Sequence, residues 1–595
     1  MRTSLRQRSL SLLPVVACCL FGTTASANDS GLDALLVDYW DYRVNESPIL
    51  ATSVGDKSGN NRLPSITPND KARRLAAERD FLARARDLDT AMFDSDSSIN
   101  RDLLVWVLEE SIRSKELSLE RIPFNSFSGF FTGALSASRG IRFTGVADYE
   151  DYIARINDFP RYFSENITNM RRGIDDGFVL PRIVIEGIAP TVRAQVKASA
   201  EEHSLYRPFI ALPDSIPAAE QAQLRADAAA AIRDGAYAAL TALADFLEGD
   251  YLDAATETLG ATELPDGDDY YTFQIRRYAT RTDLTPADIH RIGLDEVARI
   301  RAEMDEVIAD SGFEGSFSEF TEFLRTDEQF YARTATELLK EAAFISKRID
   351  YVLPGFFNTL PRLPYGVVPV PDAIAPNYTT ASYNSAKAGG TTGGAYWVNT
   401  YALDQRPLYE LTALTLHEAV PGHHFQIALA QELADLPDFR QRLYFSAFGE
   451  GWALYTEKLG VEMGLYDNAY SHFGRLSYEM WRACRLVIDT GIHAMGWSRE
   501  QANEFLASNT SLSRANVRAE VDRYISWPGQ ALAYKLGELK IWELRRHAEA
   551  TLGDAFDLPT FHDQVLLRGA LPLNLLETRV RADIERQVDE IAATQ

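Results

Sequence analysis

Three of the nine histidines in this 595-residue chain, His417, His423 and His424, lie within eight residues of one another. Glu418 directly follows the first of them. Imidazole nitrogen and carboxylate oxygen are ligands that zinc accepts, and a catalytic zinc site typically has three protein ligands and one open position for water. A carboxylate beside such a site can take the proton of the activated water. The segment therefore predicts a metal centre with hydrolytic chemistry.

The spacing in this segment differs from the usual zinc motif, in which two histidines four residues apart share one helix face. His423 and His424 follow His417 by six and seven residues. Six residues rotate the chain by about 600° around a helix, and seven advance it by about 10 Å, so a regular helix brings neither histidine to the metal of the first. Pro421 and Gly422 favour a break or bulge that would bring His423 there. His424 remains the alternative second ligand.

A candidate third ligand, Glu450, lies in residues 448–457, whose small and aromatic side chains predict a buried helix. Buried carboxylates are rare unless they are paired or bind a metal. Glu457 follows seven residues later on the same helix face. We expect Glu457 either to support a metal ligand or to be a solvated charge at the helix end.

The elements that must position these residues are predicted to be mostly helical. Residues 215–247 are rich in alanine with a helical apolar stripe, and Thr285 followed by a proline is typical of a helix start. Residues 352–400 are instead rich in proline, glycine and tyrosine, and their last eight residues favour a strand. We therefore predict a mainly α fold with a small β-sheet next to the His-Glu helix.

The predicted strand at residues 393–400 directly precedes the His-Glu segment. A free strand edge at Gly394, Ala395 and Tyr396 could pair with an extended peptide through main-chain hydrogen bonds. The alternative is that this strand lies inside a small sheet.

Residues 1–27 are typical of a secretory signal, with three arginines, a short apolar segment and a small-residue cleavage site at Ala27. This predicts export, most simply to a periplasm. The residues before Cys18 also resemble a bacterial lipobox, so a lipid anchor on Cys18 is the alternative. A linker at residues 260–270 suggests two closely packed parts, an N-terminal helical half (28–265) and a catalytic half (266–595).

The composition excludes several classes of protein. The formal charge is −25, from 60 basic and 85 acidic residues, and such a surface disfavours nucleic acid as a partner. Three cysteines are too few for a disulfide framework or a four-cysteine zinc site. The mature chain contains no apolar stretch long enough for a transmembrane helix.

The sequence resembles the bacterial family catalogued as domain of unknown function 885, DUF885. The resemblance covers most of the mature chain, and its specific motifs are residues 417–426, 449–455, 489–498 and 528–537. This family is grouped with helical zinc metallopeptidases of the gluzincin type, whose third ligand is a glutamate. The resemblance implies a large α-helical fold around a deep channel, a zinc ion and hydrolysis of peptide bonds.

On this interpretation His417, His423 and Glu450 hold zinc, and Glu418 is the general base. The resemblance implies a further donor to the oxyanion from a downstream segment, with Tyr534 as first choice and His493 as second. Arg523 and Lys535 are candidate anchors for a substrate carboxylate, with structural ion pairs as the alternative for each.

Two other functions are also compatible with the sequence. One is a zinc hydrolase that acts on a different amide, such as an isopeptide bond. The other is an exported peptide-binding protein without catalytic activity, which Glu418 argues against because a binder needs no base. Peptide preference, endo- or exopeptidase action and oligomeric state do not follow from the sequence.

Overall fold

The computed structural model describes residues 27–594 except residues 92, 373 and 387–390. The predicted signal segment and Cys18 therefore lie outside the described residues, and Ala27 begins the first helix. The described chain is mainly α-helical with one small β-sheet, which confirms the predicted fold class. Among these residues, no helix has both the length and the apolar character needed to cross a membrane.

The N-terminal part of the chain is built from short and medium helices. They are α1 (Ala27–Glu46), α2 (Pro48–Val54), α3 (Pro68–Arg86), α4 (Ser95–Glu116), α5 (Phe130–Leu135), α6 (Val146–Asn157), α7 (Phe159–Asp176), α8 (Arg182–Arg193), α9 (Arg207–Ile210), α10 (Ala218–Ala230), α11 (Tyr237–Phe246) and α12 (Leu252–Ala254). Two π-helical segments, Ala231–Ala236 and Leu247–Tyr251, connect α10 to α11 and α11 to α12. The alanine-rich segment is thus helical, as predicted.

The C-terminal part contains helices of 8 to 27 residues, including the longest of the described chain. They are α13 (Gly267–Ala279), α14 (Pro286–Asp310), α15 (Phe317–Thr326), α16 (Ala335–Val352), α17 (Leu411–Glu418), α18 (His423–Glu432), α19 (Ser446–Glu462), α20 (Ala469–Met495), α21 (Arg499–Asn509), α22 (Arg514–Ser526), α23 (Ala533–Leu552), α24 (Leu558–Leu566) and α25 (Leu573–Thr594). The predicted start at Thr285 is confirmed, because its hydroxyl accepts a hydrogen bond from the Asp288 amide at the first turn of α14.

The small sheet has three strands, β1 (Tyr365–Pro369), β2 (Ala381–Asn384) and β3 (Gly394–Val398), in the order β1-β3-β2. β3 runs parallel to β1 and antiparallel to β2, with Tyr383 opposite Tyr396. Both edges of β3 are therefore paired. The expectation of a free edge at Gly394–Tyr396 is wrong, because the pattern that predicts a strand carries no information about its neighbours.

The helices around the candidate site meet at one close crossing. On α19 and α23, Gly451 and Gly537 lie against each other, and a Cβ on Gly537 would come within 2.0 Å of the Ala447 carbonyl oxygen. Glycine at this crossing lets the two backbones approach without a side chain between them. The crossing brings Glu450 of α19 near enough to Tyr534 of α23 for its charge to raise the pKa of that phenol.

The largest apolar core contains residues from both sides of the predicted boundary at residue 265, such as Phe159 and Met480. The central helix of this core is α20, in which nearly every residue from Phe473 to His493 is buried. The two halves thus pack closely along α20. The boundary between them stays a prediction.

Candidate metal centre

The chain breaks its helix between Glu418, the last residue of α17, and His423, the first residue of α18. Ala419 and Gly422 have non-helical dihedral angles, and the Val420–Pro421 peptide bond is cis. A Cβ on Gly422 would lie 2.0 Å from the His417 carbonyl oxygen, so only glycine fits. The break predicted from the proline and glycine is present.

This break brings three side chains together, which we call the histidine cluster: His417, His423 and Glu450. One ligand atom from each lies within 4.8 Å of the others. The Nε2 atoms of His417 and His423 lie 3.5 and 3.4 Å from the same oxygen, Oε2 of Glu450. The two imidazole rings are perpendicular, with centroids 4.8 Å apart.

The neighbouring His424 turns away from this cluster. Its Nδ1 lies 3.0 Å from the hydroxyl of Tyr383, and its ring packs against Tyr365. Of the two histidines that the sequence leaves open, the structure therefore brings His423 to the cluster.

The cluster is supported from the side opposite Glu450. Nδ1 of His417 lies 2.7 Å from Oε1 of the buried Glu457, and Arg482 lies 3.8 Å from the same oxygen. Glu457 is thus a buried partner of His417, rather than a solvated charge. The indole of Trp452 donates a 2.8 Å hydrogen bond to the Pro421 carbonyl and fixes the break itself.

The charges in the cluster favour a cation. Burial lowers the pKa of His417, but its hydrogen bonds with Glu450 and Glu457 outweigh burial and raise that pKa to about 9. Burial also opposes ionisation of Glu450, yet the two imidazoles hold the pKa of this carboxyl well below its usual range. A site that stabilises a protonated imidazole between carboxylates can equally stabilise a metal cation there.

Glu418 lies at the edge of the sheet. Its Oε2 accepts a 2.8 Å hydrogen bond from the main-chain amide of Tyr383 in β2. This amide points away from β3, so the outer edge of β2 faces the end of α17. The ring of Tyr383 passes over Gly394, where a Cβ would lie 2.3 Å from its hydroxyl.

Two phenols approach Glu450 from the other side. The guanidinium carbon of Arg485 lies 4.4 Å from the centroid of the Tyr534 ring. Burial together with the charge of Glu450 raises the pKa of Tyr534. The hydroxyl of Tyr444 lies 3.5 Å from Oε1 of Glu450. Sequence reasoning missed Tyr444, because it lies in the loop before α19 and belongs to none of the quoted motifs.

The family described as "Bacterial protein of unknown function (DUF885)" matches residues 48–580. The chain belongs to this family. No curated protein matches this DUF885 chain.

Solved structures also resemble it, among them two described as putative lipoproteins. A crystal structure described as "the putative lipoprotein from Colwellia psychrerythraea" has a TM-score of 0.86 and 28% identity, covering 94% of this chain and 100% of that one. A "putative lipoprotein of unknown function from Shewanella oneidensis" has a TM-score of 0.73 and 17% identity, covering 93% and 99%. At 17% identity the second shows the fold alone. The relation to gluzincin metallopeptidases stays a prediction.

Three residues predicted for the site of this DUF885 protein lie in other surroundings. Both ring nitrogens of His493 bond the main chain, Nδ1 to the Ala261 amide and Nε2 to the Tyr524 carbonyl. Lys535 is fully buried and forms ion pairs with three glutamates, Glu296, Glu479 and Glu538. Arg523 is paired with Glu520 and Gln530. Burial keeps Lys535 from a substrate carboxylate, and the structure shows the alternative, a structural ion pair, for both cations.

Proposed function

We propose that this protein is an exported zinc-dependent peptidase. The observation that carries the proposal is the arrangement of the histidine cluster. Two imidazole nitrogens lie at 3.4 and 3.5 Å from one carboxylate oxygen, although their spacing in the sequence excludes a shared helix face. Glu418, next in sequence to the first ligand, supplies a base.

The residues present fit a zinc ion. With ligand distances of about 2.0–2.1 Å, neighbouring ligand atoms of a tetrahedral zinc lie about 3.3 Å apart. The two distances to Glu450 Oε2 are close to that value. Two histidines and one glutamate form a typical catalytic donor set, and Glu457 orients His417 as carboxylates commonly do for zinc-binding histidines. Bound zinc would lower the pKa of a water molecule and polarise the carbonyl of the scissile bond.

Glu418 carries the proton transfers in this proposal. Its carboxylate accepts a proton from the attacking water and passes that proton to the leaving amine. In this structure Oε2 accepts the hydrogen bond from the Tyr383 amide, which fixes the orientation of the carboxylate and leaves Oε1 for the water.

Tyr534 is the proposed donor to the oxyanion that forms when water attacks the carbonyl. It lies beside Glu450, and Arg485 over its ring favours negative charge nearby. We give His493 no such role, because main-chain groups bind both of its ring nitrogens.

The substrate backbone has a natural partner in β2. On the outer edge of this strand the Tyr383 amide is already bound by Glu418. An extended peptide would therefore pair with the remaining main-chain groups of β2 and pass the histidine cluster. Main-chain pairing of this kind accepts many sequences. The edge predicted on β3 is thus replaced by the edge of the neighbouring strand.

Export rests on the signal at residues 1–27, and the descriptions of both structural neighbours as putative lipoproteins favour the alternative of a lipid on Cys18. A lipid there would hold the domain at a membrane without a spanning helix. Mass spectrometry of the mature N terminus distinguishes an acylated Cys18 from cleavage after Ala27.

The deciding experiment pairs metal analysis with a peptide library. We expect the reconstituted protein to bind one zinc ion and to cleave peptides. Glu418→Gln should retain zinc but lose activity by about 10²–10⁴-fold, because the base is removed and no proposed ligand is changed. Glu314→Gln, at an exposed position, is the matched control and should behave like the wild type.

Four results would contradict the proposal or redirect it. A wild-type protein that binds no zinc after reconstitution excludes the metal centre. Unchanged turnover in Glu418→Gln excludes its role as base. Cleavage of acylated amines but not of peptides favours the other amide hydrolase, and tight peptide binding without turnover favours the binding protein.

A further inference from the structure

The three residues of the histidine cluster differ in what holds their outer atoms. Nδ1 of His417 is held by Glu457 at 2.7 Å. Oε1 of Glu450 faces the Tyr444 hydroxyl at 3.5 Å. Among the described residues, the buried Nδ1 of His423 has no hydrogen-bond partner. Two of the three therefore have a side chain behind them that can fix their orientation.

The two oxygens of the Glu450 carboxylate face different groups. Oε2 faces both imidazoles, at 3.5 and 3.4 Å, while Oε1 faces Tyr444. A carboxylate near a metal can offer one oxygen or both. A hydrogen-bond donor that binds one carboxylate oxygen occupies that oxygen and restrains rotation of the carboxylate. The other oxygen is then the single ligand for the metal.

The hydroxyl end of Tyr444 lies against the backbone next to Glu450, although about half of the residue is exposed. A Cβ on Gly449 would lie 2.5 Å from the Tyr444 hydroxyl oxygen, so the phenol lies directly over this glycine. The absent side chain at Gly449 thus creates the space that the phenol occupies. Glycine inside a helix otherwise destabilises it relative to alanine.

Tyr534, the other phenol near Glu450, has different contacts. It bonds Gln530 and lies under Arg485, whereas Tyr444 approaches the carboxylate itself. The chemical roles of the two phenols can therefore be separated by experiment.

We propose that Tyr444 is a positioning residue for Glu450. Its hydroxyl donates to Oε1 and presents Oε2 alone to the metal, as Glu457 presents Nε2 of His417. This inference rests on the proposed zinc site. A phenol performs this function without adding charge, so the charge that the ligands offer to the cation is unchanged.

The test is zinc affinity, measured by competition with a chelator on the full-length protein. Tyr444→Phe keeps the ring over Gly449 and removes only the hydroxyl. We expect zinc affinity to fall by about 10–100-fold, the effect typical of an outer partner of a metal ligand. Tyr534→Phe is the matched control, in which we expect affinity to remain that of the wild type while turnover falls.

A purely structural role of Tyr444 predicts a different pattern. In that case Tyr444→Phe lowers the thermal stability of the metal-free protein, which our proposal leaves unchanged because ring packing is kept. Gly449→Ala is a second variant. It keeps the Tyr444 hydroxyl group in the protein, but the new Cβ displaces the phenol from Glu450, so this variant should also weaken zinc binding.

The outcomes separate this inference from the proposed function. Wild-type zinc affinity in Tyr444→Phe and Gly449→Ala, with a wild-type protein that binds zinc, overturns the role of Tyr444 alone. A wild-type protein that binds no zinc overturns both proposals. Weaker binding in both variants, with an unaltered Tyr534→Phe, supports the inference.

Discussion

The histidine cluster and the residues Asp489 and His493 of α20 both combine imidazole with carboxylate, but their polar atoms point in different directions. In the histidine cluster, Nε2 of His417 and of His423 face one oxygen of Glu450. On α20, Asp489 and His493 each bond other groups instead. His493 bonds the main chain of Ala261 and Tyr524, and Asp489 accepts from the Tyr271 hydroxyl and the Gly529 amide. We call Asp489 and His493 the α20 pair.

The contrast extends to charge. Carboxylates raise the pKa of His417 to about 9, whereas burial lowers the pKa of His493 to about 4. The first environment favours a cation, and the second keeps a neutral ring. Residue types are similar in both places, although His423 and Glu450 are only partly buried while Asp489 and His493 are fully buried. What distinguishes a candidate site from a structural brace is whether the polar atoms converge on one another or are each bound by separate groups of the fold.

The largest difference should appear when one histidine of each group is removed. In His417→Ala we expect zinc binding to fall by more than the roughly 10–100-fold effect of an outer partner, because a direct ligand is lost. In His493→Ala we expect zinc binding to remain and the free energy of unfolding to fall by about 2–6 kcal/mol, since two buried main-chain groups lose their partners.

Zinc analysis and urea unfolding of the metal-free protein measure both quantities in the same samples. The comparison fails if His493→Ala loses zinc while its stability is unchanged, because the α20 pair would then act on the metal. It also fails if His417→Ala keeps wild-type zinc affinity.

A second, smaller effect should follow from disturbing the frame of the cluster without changing a ligand. In Gly537→Ala the new Cβ meets the Ala447 carbonyl oxygen, which forces α19 and α23 apart. We expect stability to fall by about 1–3 kcal/mol from overpacking, and activity to fall by about 10²-fold from displacement of Glu450 relative to Tyr534.

Gly187→Ala is the control for this substitution. Gly187 lies inside α8 with open space around it, so alanine should raise stability by about 0.5–1 kcal/mol and leave activity unchanged. Peptide cleavage and urea unfolding report both effects. Equal activity in the two variants would show that the close crossing has no part in positioning the site.

Local features of the site could be predicted from the sequence. The break at Pro421 and Gly422 follows from rules that act within a few residues, because proline cannot extend a helix and glycine adopts dihedral angles that other residues avoid. The choice between His423 and His424 needed coordinates. It depends on Tyr383, which lies 41 residues from His424 in the sequence and whose hydroxyl contacts Nδ1 of that histidine.

Long-range features could not be predicted, because they depend on which elements become neighbours. Strand propensity identified β3 but not its place between β1 and β2. Lys535 has the charge that a carboxylate anchor needs, yet Glu296 and Glu479 on other helices surround it. Tyr444 has no local signature, since only the folded loop brings it to Glu450.

The expected effect that is smallest per step of the measurement concerns the α20 pair and pH. Burial raises the pKa of Asp489 to about 7, outweighing its hydrogen bonds from the Tyr271 hydroxyl and the Gly529 amide. In the unfolded chain an aspartate titrates near 4. Between about pH 4 and pH 7 the folded state therefore keeps a proton that the unfolded state has released.

This difference fixes the sign of the pH dependence. Where the folded state binds more protons, the free energy of unfolding falls as pH rises, so Asp489 destabilises the protein progressively from about pH 4 to pH 7. His493 acts in the opposite sense over part of this range, because burial lowers its pKa to about 4. The informative quantity is thus the difference between wild type and Asp489→Asn, whose amide resembles the neutral acid.

We expect the unfolding free energy of the wild type minus that of Asp489→Asn to decrease by an amount of order 1 kcal/mol per pH unit through this window. Urea unfolding of the metal-free proteins at several pH values measures it. Parallel curves would mean that Asp489 is already ionised in the fold, and the α20 pair would then be a charged group like the histidine cluster. A falling difference, with zinc affinity equal in both proteins, would establish the pair as a neutral brace.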